Sequence, residues 1–400
     1  MPAITPRCRV LVMGLGGAGC NSVARMMRMW GEGPNVVAVH TDTKVLASSP
    51  LPKCIQIGVN VTQGLGASGD TTVGKLAAEE NIETIQELLA NVDLLFLVVG
   101  LGGGTGTGAV PVIVQTAKQL GVLTLCFATM PFPFEGDRKR RLAEEGLRTL
   151  QRAADAVVCL PNERLLEMVD PSLTLEAAFE TSDAVVGSGI HGLWRVLTQT
   201  GVMNLDFADV RQIAERSGGS CAFAYSEGSG PARVAMALKG LIDSPLLDKG
   251  CLLSHASGIL VNITGGPDLT LADVHGIMGR ISSMMRPGAH VFMGAIVDST
   301  AREKVGLTVL ASENWLEERA IGKGNTTTYG GENELTTVAA TPAGADKPNI
   351  RTKADETQAE LGFEPVDRGR FTNIEPTLYQ GEDLDIPTFI RRGVRLMFDK

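Results

Sequence analysis

The sequence lacks several features that would assign it to a particular class of protein. Aromatic residues make up only 4% of the 400 residues, and the seven cysteines are scattered without a Cys-x-x-Cys pair. The formal net charge is -9 and no segment carries a dense cluster of lysine and arginine, so nucleic acid is not an expected partner. No signal-peptide pattern opens the sequence, and no run of about 18 apolar residues could span a membrane. We therefore expect a cytoplasmic protein with reduced core thiols, no structural metal site and no direct membrane insertion.

Short apolar runs alternate with helical patterns in the N-terminal part of the sequence. The runs are RVLVM, NVVAVHTD, VDLLFLVV, VLTLCFATM and AVVCL, and GLGGAGCNSVARMMRM is typical of the segments between them. Such alternation predicts an α/β fold in which helices cover both faces of a parallel sheet.

A long helix is predicted from Leu175 onwards, where apolar residues begin to recur every three or four positions. Beyond it, GILVNITGG, HVFMGAIVD and GLTVLAS are typical of strands, and this second α/β region ends near Ser312. The following sequence is rich in Gly, Thr, Pro and Asn, which predicts a disordered linker. The predicted parts are a nucleotide-binding domain (1–174), a central helix (175–203), a second, smaller domain (204–313), a disordered linker (314–381) and a tail peptide (382–400).

Two glycine-rich turns follow apolar runs in the first domain. Gly14, Gly16 and Gly19 fit the pattern G-x-G-x-x-G, and five glycines lie between Gly102 and Gly108. Glycine lets backbone N–H groups approach an anion closely, and the N-terminus of a following helix adds a favourable dipole. A tight strand-to-helix turn is the alternative explanation of the first pattern, but a turn alone does not need five glycines. Two such loops predict a ligand with several phosphates.

Other nucleotide sites fit these loops less well. A P-loop requires G-K-[ST], which neither loop contains. An NAD-dependent oxidoreductase would use the first loop together with Asp42, which lies near the end of the second predicted strand. That alternative leaves the second loop without a role and finds no clearly placed catalytic histidine.

The second loop carries a resemblance to a known family. GGGTGTGA matches the signature loop of the tubulin/FtsZ superfamily. The segments GLGGAGCNSV, HTDTKVL, TQGLGASGD, MPFPFEG, LPNERLL, MNLDFADVR, SPLL and GILVNITGG resemble the FtsZ branch in order and spacing. The resemblance covers roughly residues 8–312, and DLDIPTFIRR is similar to the tail peptide of that branch. It implies a GTPase that binds GTP and GDP, polymerises head to tail into filaments and forms the cytokinetic ring on the inner face of the bacterial membrane.

The same resemblance implies a set of nucleotide-binding residues. Gly16, Gly17 and Asn21 would line the first loop, with Asn21 near the guanine, and Glu135 would contact the ribose. The residues implied around the phosphates are Ala67, Ser68, Gly69, Gly103, Gly104, Thr105, Gly106 and Thr107.

Guanine recognition is implied at Phe179 and Asp183, which lie one helical turn apart. A phenyl ring can stack on the base, and a carboxylate can accept from guanine N1–H and its N2 amino group together. Adenine offers no such pair of donors, so these residue types favour GTP over ATP. Without the resemblance, a core phenylalanine and a surface aspartate would be an equally good interpretation.

The sequence departs from the family pattern at two places. His40 stands where the family usually has Asn, which puts a contact to the ribose or phosphate in doubt. Lys139 stands where an arginine is common, with Arg138 and Arg140 on either side, and a lysine cannot form a forked contact to phosphate. Any of these three cations could contact the nucleotide.

Two acids, Asp206 and Asp209, occur in the segment NLDFADV. By their spacing they are an N-cap and a first-turn residue of a helix. The resemblance implies instead that they enter the nucleotide site of the next subunit, orient the attacking water and bind a cation, with Mg²⁺ accompanying the nucleotide. A scaffold that polymerises on GTP without hydrolysis is an alternative, which the intact pair of acids disfavours.

The segment from Asp383 to Arg392 alternates acidic, apolar and basic residues. Ile386, Phe389 and Ile390 would share one side if the part after Pro387 were helical. We expect this segment to bind membrane-tethering and division proteins, because it is too short and too weakly basic to anchor the chain in a membrane by itself.

Overall fold

The computed structural model of the chain describes residues 8–167, 172–199 and 201–312, together with 378–379 and 382–383. Most of the predicted linker and tail therefore lies outside the described residues. Leu378–Tyr379 (β11) and Glu382–Asp383 (β12) pair in an antiparallel manner within a second unit of the chain, residues 328–400. Leu378–Tyr379 fall within residues 314–381, which the sequence predicts as a linker.

One sheet of ten strands runs through the first unit. The strands in chain order are Val10–Leu15 (β1), Asn35–His40 (β2), Cys54–Gln56 (β3), Leu94–Gly100 (β4), Leu123–Met130 (β5), Ala156–Pro161 (β6), Cys221–Ser229 (β7), Gly258–Gly265 (β8), His290–Val297 (β9) and Lys304–Ser312 (β10). Their order across the sheet is β3-β2-β1-β4-β5-β6-β7-β10-β8-β9. Strands β1 to β6 are parallel, as predicted, whereas β10 is antiparallel to both β7 and β8.

The helices connect these strands. They are Gly16–Met29 (α1), Thr43–Ala47 (α2), Val59–Thr62 (α3), Thr71–Glu80 (α4), Ile82–Leu89 (α5), Gly104–Gln119 (α6), Asp137–Ala153 (α7), Asn162–Leu166 (α8), Leu175–Thr198 (α9), Phe207–Arg216 (α10), Arg233–Ile242 (α11), Cys251–His255 (α12) and Leu271–Ser282 (α13). Short 3₁₀ turns occur at Pro133–Glu135 and Pro245–Leu247. Among the helices of the described ranges, none is long and apolar enough to cross a membrane.

The strands of the first domain are apolar on both faces because helices cover both. Val12, Phe96 and Val98 pack in a core with α1 and the central helix α9, while Met13 and Leu97 pack in a second core with α4, α5, α6 and α7. This arrangement explains why the strand sequences are almost continuously apolar rather than alternating.

The two α/β domains are joined within the sheet. Strands β6 and β7 contact through the pair Val158↔Cys221, so the sheet continues from the first domain into the second. The central helix α9 packs against helix α1 of the first domain and against strands β7 to β10 of the second, with Val186, Ile190 and Leu193 buried as predicted.

The central helix ends earlier than the predicted residue 203. Its last residue is Thr198, and the backbone N–H groups of Val202 and Met203 donate to Ala295 O at 3.0 and 3.2 Å. These backbone groups pair with strand β9 instead of continuing the helix.

The prediction that the cysteines lie in the core is correct for Cys8, Cys20, Cys126 and Cys221, which are buried, while Cys159 is half-buried. It is wrong for Cys54 and Cys251, which are exposed. Cys54 lies on β3, at the edge of the sheet, and Cys251 begins the short helix α12, so neither is covered by a packed layer.

Candidate nucleotide site

A cleft of about 490 Å³ lies at the carboxyl ends of β1, β2, β4 and β5. A second cavity of about 290 Å³ adjoins it and shares wall residues such as Ala18, Phe132 and Phe179. Carboxyl ends of parallel strands are the usual place for a ligand in an open α/β sheet, because loops and helix N-termini converge there.

Close backbone packing explains part of the second glycine loop. A methyl group built on Gly104 would lie 2.8 Å from Asp70 N and O, and one on Gly108 would overlap Thr71 O. On the facing helix α4, a methyl group on Gly74 would overlap Gly104 O. These glycines let α4 and α6 approach each other. The sequence alone explained Gly104 and Gly108 by phosphate binding and gave no role to Gly74. Gly103 has no such neighbour and its backbone is open to the cleft.

The structure brings most of the predicted phosphate and ribose residues to one cavity. The predicted residues that line the cleft are Gly16, Gly17, Ala67, Ser68, Gly69, Gly103, Gly104, Thr105, Gly106, Glu135, Lys139 and Phe179. Asn21 and Asp183 line the adjoining cavity. Thr107 is buried outside both linings, and its hydroxyl accepts a hydrogen bond from Gly102 N–H at 2.8 Å. Thr107 therefore holds the shape of the loop from within.

The adjoining cavity has the chemistry of a base pocket. The rings of Phe179 and Phe132 meet edge to face with centroids 5.6 Å apart, and Asp183 is only 8% exposed. Arg25 Nε lies 2.6 Å from Asp183 Oδ2, and its guanidinium carbon lies 5.7 Å from the Phe179 ring centre. Burial raises the pKa of Asp183, and the Arg25 charge, which lowers it, offsets this only in part. Sequence reasoning missed Arg25, although it follows Asn21 by one helical turn and so shares its face of α1.

Among the three neighbouring cations, the structure places Lys139 at the cleft. Its ammonium group forms an ion pair with Glu135, whose carboxylate also accepts from Phe132 N–H at 2.9 Å. Arg138 is exposed, and Arg140 forms an ion pair with Glu144 on the solvent side of α7.

Asp206 and Asp209 lie away from this cleft and line neither cavity. Asp206 is the N-cap of α10, and its backbone N–H donates to Asp209 Oδ2 at 2.9 Å. The two acids thus occupy the N-cap and first-turn positions that their spacing predicts. Asp206 is also exposed, so the capping arrangement leaves its carboxylate open to solvent.

The fold and the cleft define an α/β protein with two glycine-rich strand-to-helix loops at one cleft and an adjoining pocket against the central helix. The GTPase domain of the Tubulin/FtsZ family matches residues 9–170, and the C-terminal domain of the FtsZ family matches residues 219–313. The chain therefore belongs to the tubulin/FtsZ family: it is a GTP-binding GTPase of the FtsZ type, a filament-forming class of cell-division protein.

Two curated relatives illustrate the similarity. A "Cell division protein FtsZ" from Rhizobium radiobacter is 39% identical over 304 residues, which is 76% of this chain and 52% of that protein. The protein of the same name from Aquifex aeolicus is 37% identical over 316 residues, which is 79% of this chain and 86% of that protein.

Solved structures agree with this assignment. The "FtsZ dimer, empty" of M. jannaschii superimposes with a TM-score of 0.71 at 35% identity, covering 77% of this chain and 89% of that one. CetZ2 from Haloferax volcanii, described as a GTPγS-bound protofilament, has a TM-score of 0.63 at 21% identity and covers 78% of this chain and 98% of that one. The CetZ2 similarity shows the shared fold.

Proposed function

We propose that this chain hydrolyses GTP to GDP and phosphate at a site completed by the adjacent subunit of a head-to-tail filament. The proposal rests on one observation: within a single chain, the glycine-rich cleft and the pair of acids at the start of α10 lie apart. The two glycine-rich loops line the cleft, whereas the exposed Asp206 lies at a helix start outside it. A second copy stacked on the first could bring this helix start to the open side of the cleft.

The phosphates would be held mainly by backbone N–H groups. The loops at Gly16–Gly17 and Gly103–Gly106 open helices α1 and α6, so their N–H groups and the helix dipoles favour an anion. Each N–H bond to a charged oxygen contributes about 1.5–3 kcal/mol. This is how a chain of net charge -9 can bind a polyphosphate without a basic patch.

The base and the ribose would occupy the other end. Guanine would stack on Phe179 and donate to the buried Asp183 carboxylate, with Asn21 beside it. Glu135 would accept from the ribose, and Lys139, held by its pair with Glu135, would face the phosphate side.

Mg²⁺ would accompany the nucleotide instead of occupying a site of its own. Within the described ranges no group of three or more His, Cys, Asp and Glu residues could hold a metal ion. Mg²⁺ commonly takes one or two carboxylates and completes its shell with phosphate oxygens and water, which fits a cleft of backbone donors with few acids.

Hydrolysis would depend on the two acids of the neighbouring subunit. Phosphoryl transfer to water needs an oriented water and stabilised charge more than covalent assistance. Asp206 and Asp209 lie within one turn of each other and could hold one water between them, with a cation nearby. Hydrolysis would then weaken the contact between subunits and allow turnover of the filament.

In the cell, the filament would form the cytokinetic ring on the inner face of the membrane, tethered through the segment from Asp383 to Arg392. Its alternating chemistry supports an adaptor-binding role. Beyond Asp383 this segment lies outside the described residues.

The decisive experiment measures GTP turnover per chain against protein concentration. A split site predicts low activity in dilute solution and a rise above a threshold at which filaments sediment. Activity per chain that is constant from the most dilute solution upwards would contradict the split site while leaving the GTPase assignment intact.

A further inference from the structure

His40 ends strand β2 at the wall of the nucleotide cleft. The side chain is 7% exposed, and its Nδ1 accepts a hydrogen bond from Asp42 N–H at 2.7 Å. A methyl group built on Gly17 would lie 3.6 Å from His40 Nε2, so this nitrogen points at the first glycine loop. Among the described residues, Nε2 has no hydrogen-bond partner in the protein.

The bond from Asp42 fixes the tautomer of the ring. A neutral imidazole has one donor nitrogen and one acceptor nitrogen, and here Nδ1 is the acceptor. The proton must therefore be on Nε2, which faces the cleft. Burial lowers the pKa of His40, against an opposing effect of the Asp42 charge, so the ring is neutral near pH 7.

The backbone around His40 connects the three loops of the cleft. Thr41 Oγ1 lies 2.6 Å from Thr105 Oγ1 in the second glycine loop. Asp42 forms a β-bridge with Leu65, in the loop that carries Ala67 to Gly69. The His40 ring completes the set by facing Gly17 in the first loop. A residue at this position can thus affect the cleft in two ways, through its ring donor and through the turn that it stabilises.

We propose that His40 is a nucleotide-binding residue, whose Nε2–H donates to an oxygen of the bound guanine nucleotide, either a phosphate oxygen or a ribose hydroxyl. This proposal rests on the proposed function of the cleft. The histidine would thus have a binding role at the position where the family pattern leads one to expect asparagine. Its longer ring extends the Nε2 donor further into the cleft, while Nδ1 still accepts the hydrogen bond from Asp42 N–H that stabilises the turn.

Two substitutions separate the ring donor from the turn. His40→Asn keeps an acceptor near the Nδ1 position for Asp42 N–H but removes the donor at Nε2. His40→Gln keeps a donor near the Nε2 position but loses the acceptor for the turn. Equilibrium binding of GDP and GTP to the full chain is measured in dilute protein, below the assembly threshold, and thermal unfolding checks the fold of each variant.

We expect His40→Asn to weaken nucleotide binding by about three- to tenfold for a ribose contact, and by more than about tenfold for a charged phosphate oxygen. His40→Gln should retain affinity within about threefold. Binding of 2′,3′-dideoxy-GDP distinguishes the two acceptors: the loss disappears with this ligand if the partner is a ribose hydroxyl and persists if it is a phosphate.

Unchanged affinity in His40→Asn would overturn the proposal. A loss confined to His40→Gln, which lacks the acceptor for Asp42 N–H, would assign His40 to the turn alone. The unsubstituted chain is measured in parallel. If the unsubstituted chain and His40→Asn bound GTP equally well, only the proposed histidine contact would be refuted. If the unsubstituted chain bound no GTP, the proposed function of the cleft itself would be refuted.

Discussion

The Asp183 carboxylate combines burial with a charged partner, and both bear on the guanine recognition proposed for it. A carboxylate in a low-dielectric pocket tends to be protonated, and the Arg25 guanidinium at 2.6 Å opposes that tendency. An ionised Asp183 can accept two hydrogen bonds from guanine, whereas adenine would leave it facing an acceptor. In the proposed base pocket, Arg25 would therefore support the preference for guanine by favouring the ionised form of Asp183, without contacting the base edge itself.

Asp183→Ala should weaken GTP binding by at least about tenfold and remove the preference over ATP, because hydrogen bonds to a charged acceptor are lost. Competition binding with GTP and ATP measures both effects. Glu180→Ala is the matched control, since Glu180 is exposed on the same helix and should leave both affinities unchanged. Equal affinity of the unsubstituted chain for GTP and ATP would refute the assignment of Asp183.

At the scale of elements, the central helix α9 is tied to the second domain by a charged contact. Arg195 Nη1 lies 2.6 Å from Asp298 Oδ2, with side chains 15% and 21% exposed. Burial raises the pKa of Asp298, but hydrogen bonds from Thr300 and from Arg195 outweigh it and lower the pKa to about 2. A lowered folded-state pKa means stability that is fully present above the unfolded value and lost as the pH falls towards 2.

Asp298→Asn should therefore lower the free energy of unfolding by about 1–3 kcal/mol at pH 7, since it leaves Arg195 without its counter-charge. The difference between the two proteins should stay constant down to about pH 5 and shrink as the pH falls through the ordinary range of a carboxyl. Denaturant unfolding at several pH values measures it. Glu227→Gln removes a more exposed pair with Lys304 and should cost less than about 1 kcal/mol. A pH-independent difference for Asp298→Asn would contradict the linkage.

Local sequence predicted the elements well where the signal is periodic. The strands β1, β2, β4, β5 and β6 and the buried stripe of α9 follow directly from apolar runs and spacing. The joining of the two domains could not be predicted, because the pair Val158↔Cys221 links residues far apart in sequence and leaves no local pattern. The early end of α9 depends on Ala295, another distant residue, in the same way.

For the candidate site, the sequence predicted where the loops lie but not what each residue in them does. Spacing and resemblance located the loops, since glycines at a strand-to-helix turn are visible in the sequence. They could not separate glycines that admit a neighbouring helix, such as Gly108, from those open to the cleft, such as Gly103. Nor could they place the Thr107 hydroxyl inside its loop, because that depends on which side of the turn the side chain faces.

At the scale of the whole molecule, a split site means that cleft and acids can be inactivated on different chains. Asp209→Ala should retain GTP binding, lose most hydrolysis and form filaments that persist longer. The two variants Asp209→Ala and Asp183→Ala are then mixed, at a GTP concentration too low to occupy the cleft of Asp183→Ala. The mixture should hydrolyse GTP although each variant alone does so poorly. With random co-assembly, up to about a quarter of the heterologous contacts would pair an intact cleft with intact acids. Sedimentation confirms co-assembly, and activity no greater than the sum of the two variants would exclude a shared site.

The last prediction concerns the end of the chain. A short amphipathic segment on a long linker can hold a partner without constraining the geometry of the filament, because the linker sets only an effective concentration. Deleting residues 383–400 should therefore leave GTP turnover and filament formation in solution nearly unchanged, and should abolish localisation to the division site. The matched control replaces Ile386, Phe389 and Ile390 by alanine in the full chain, which keeps length and charge and should reproduce the loss of localisation if the apolar side binds the adaptor. A truncated chain that still forms a ring in cells would show that the tether lies elsewhere in the molecule.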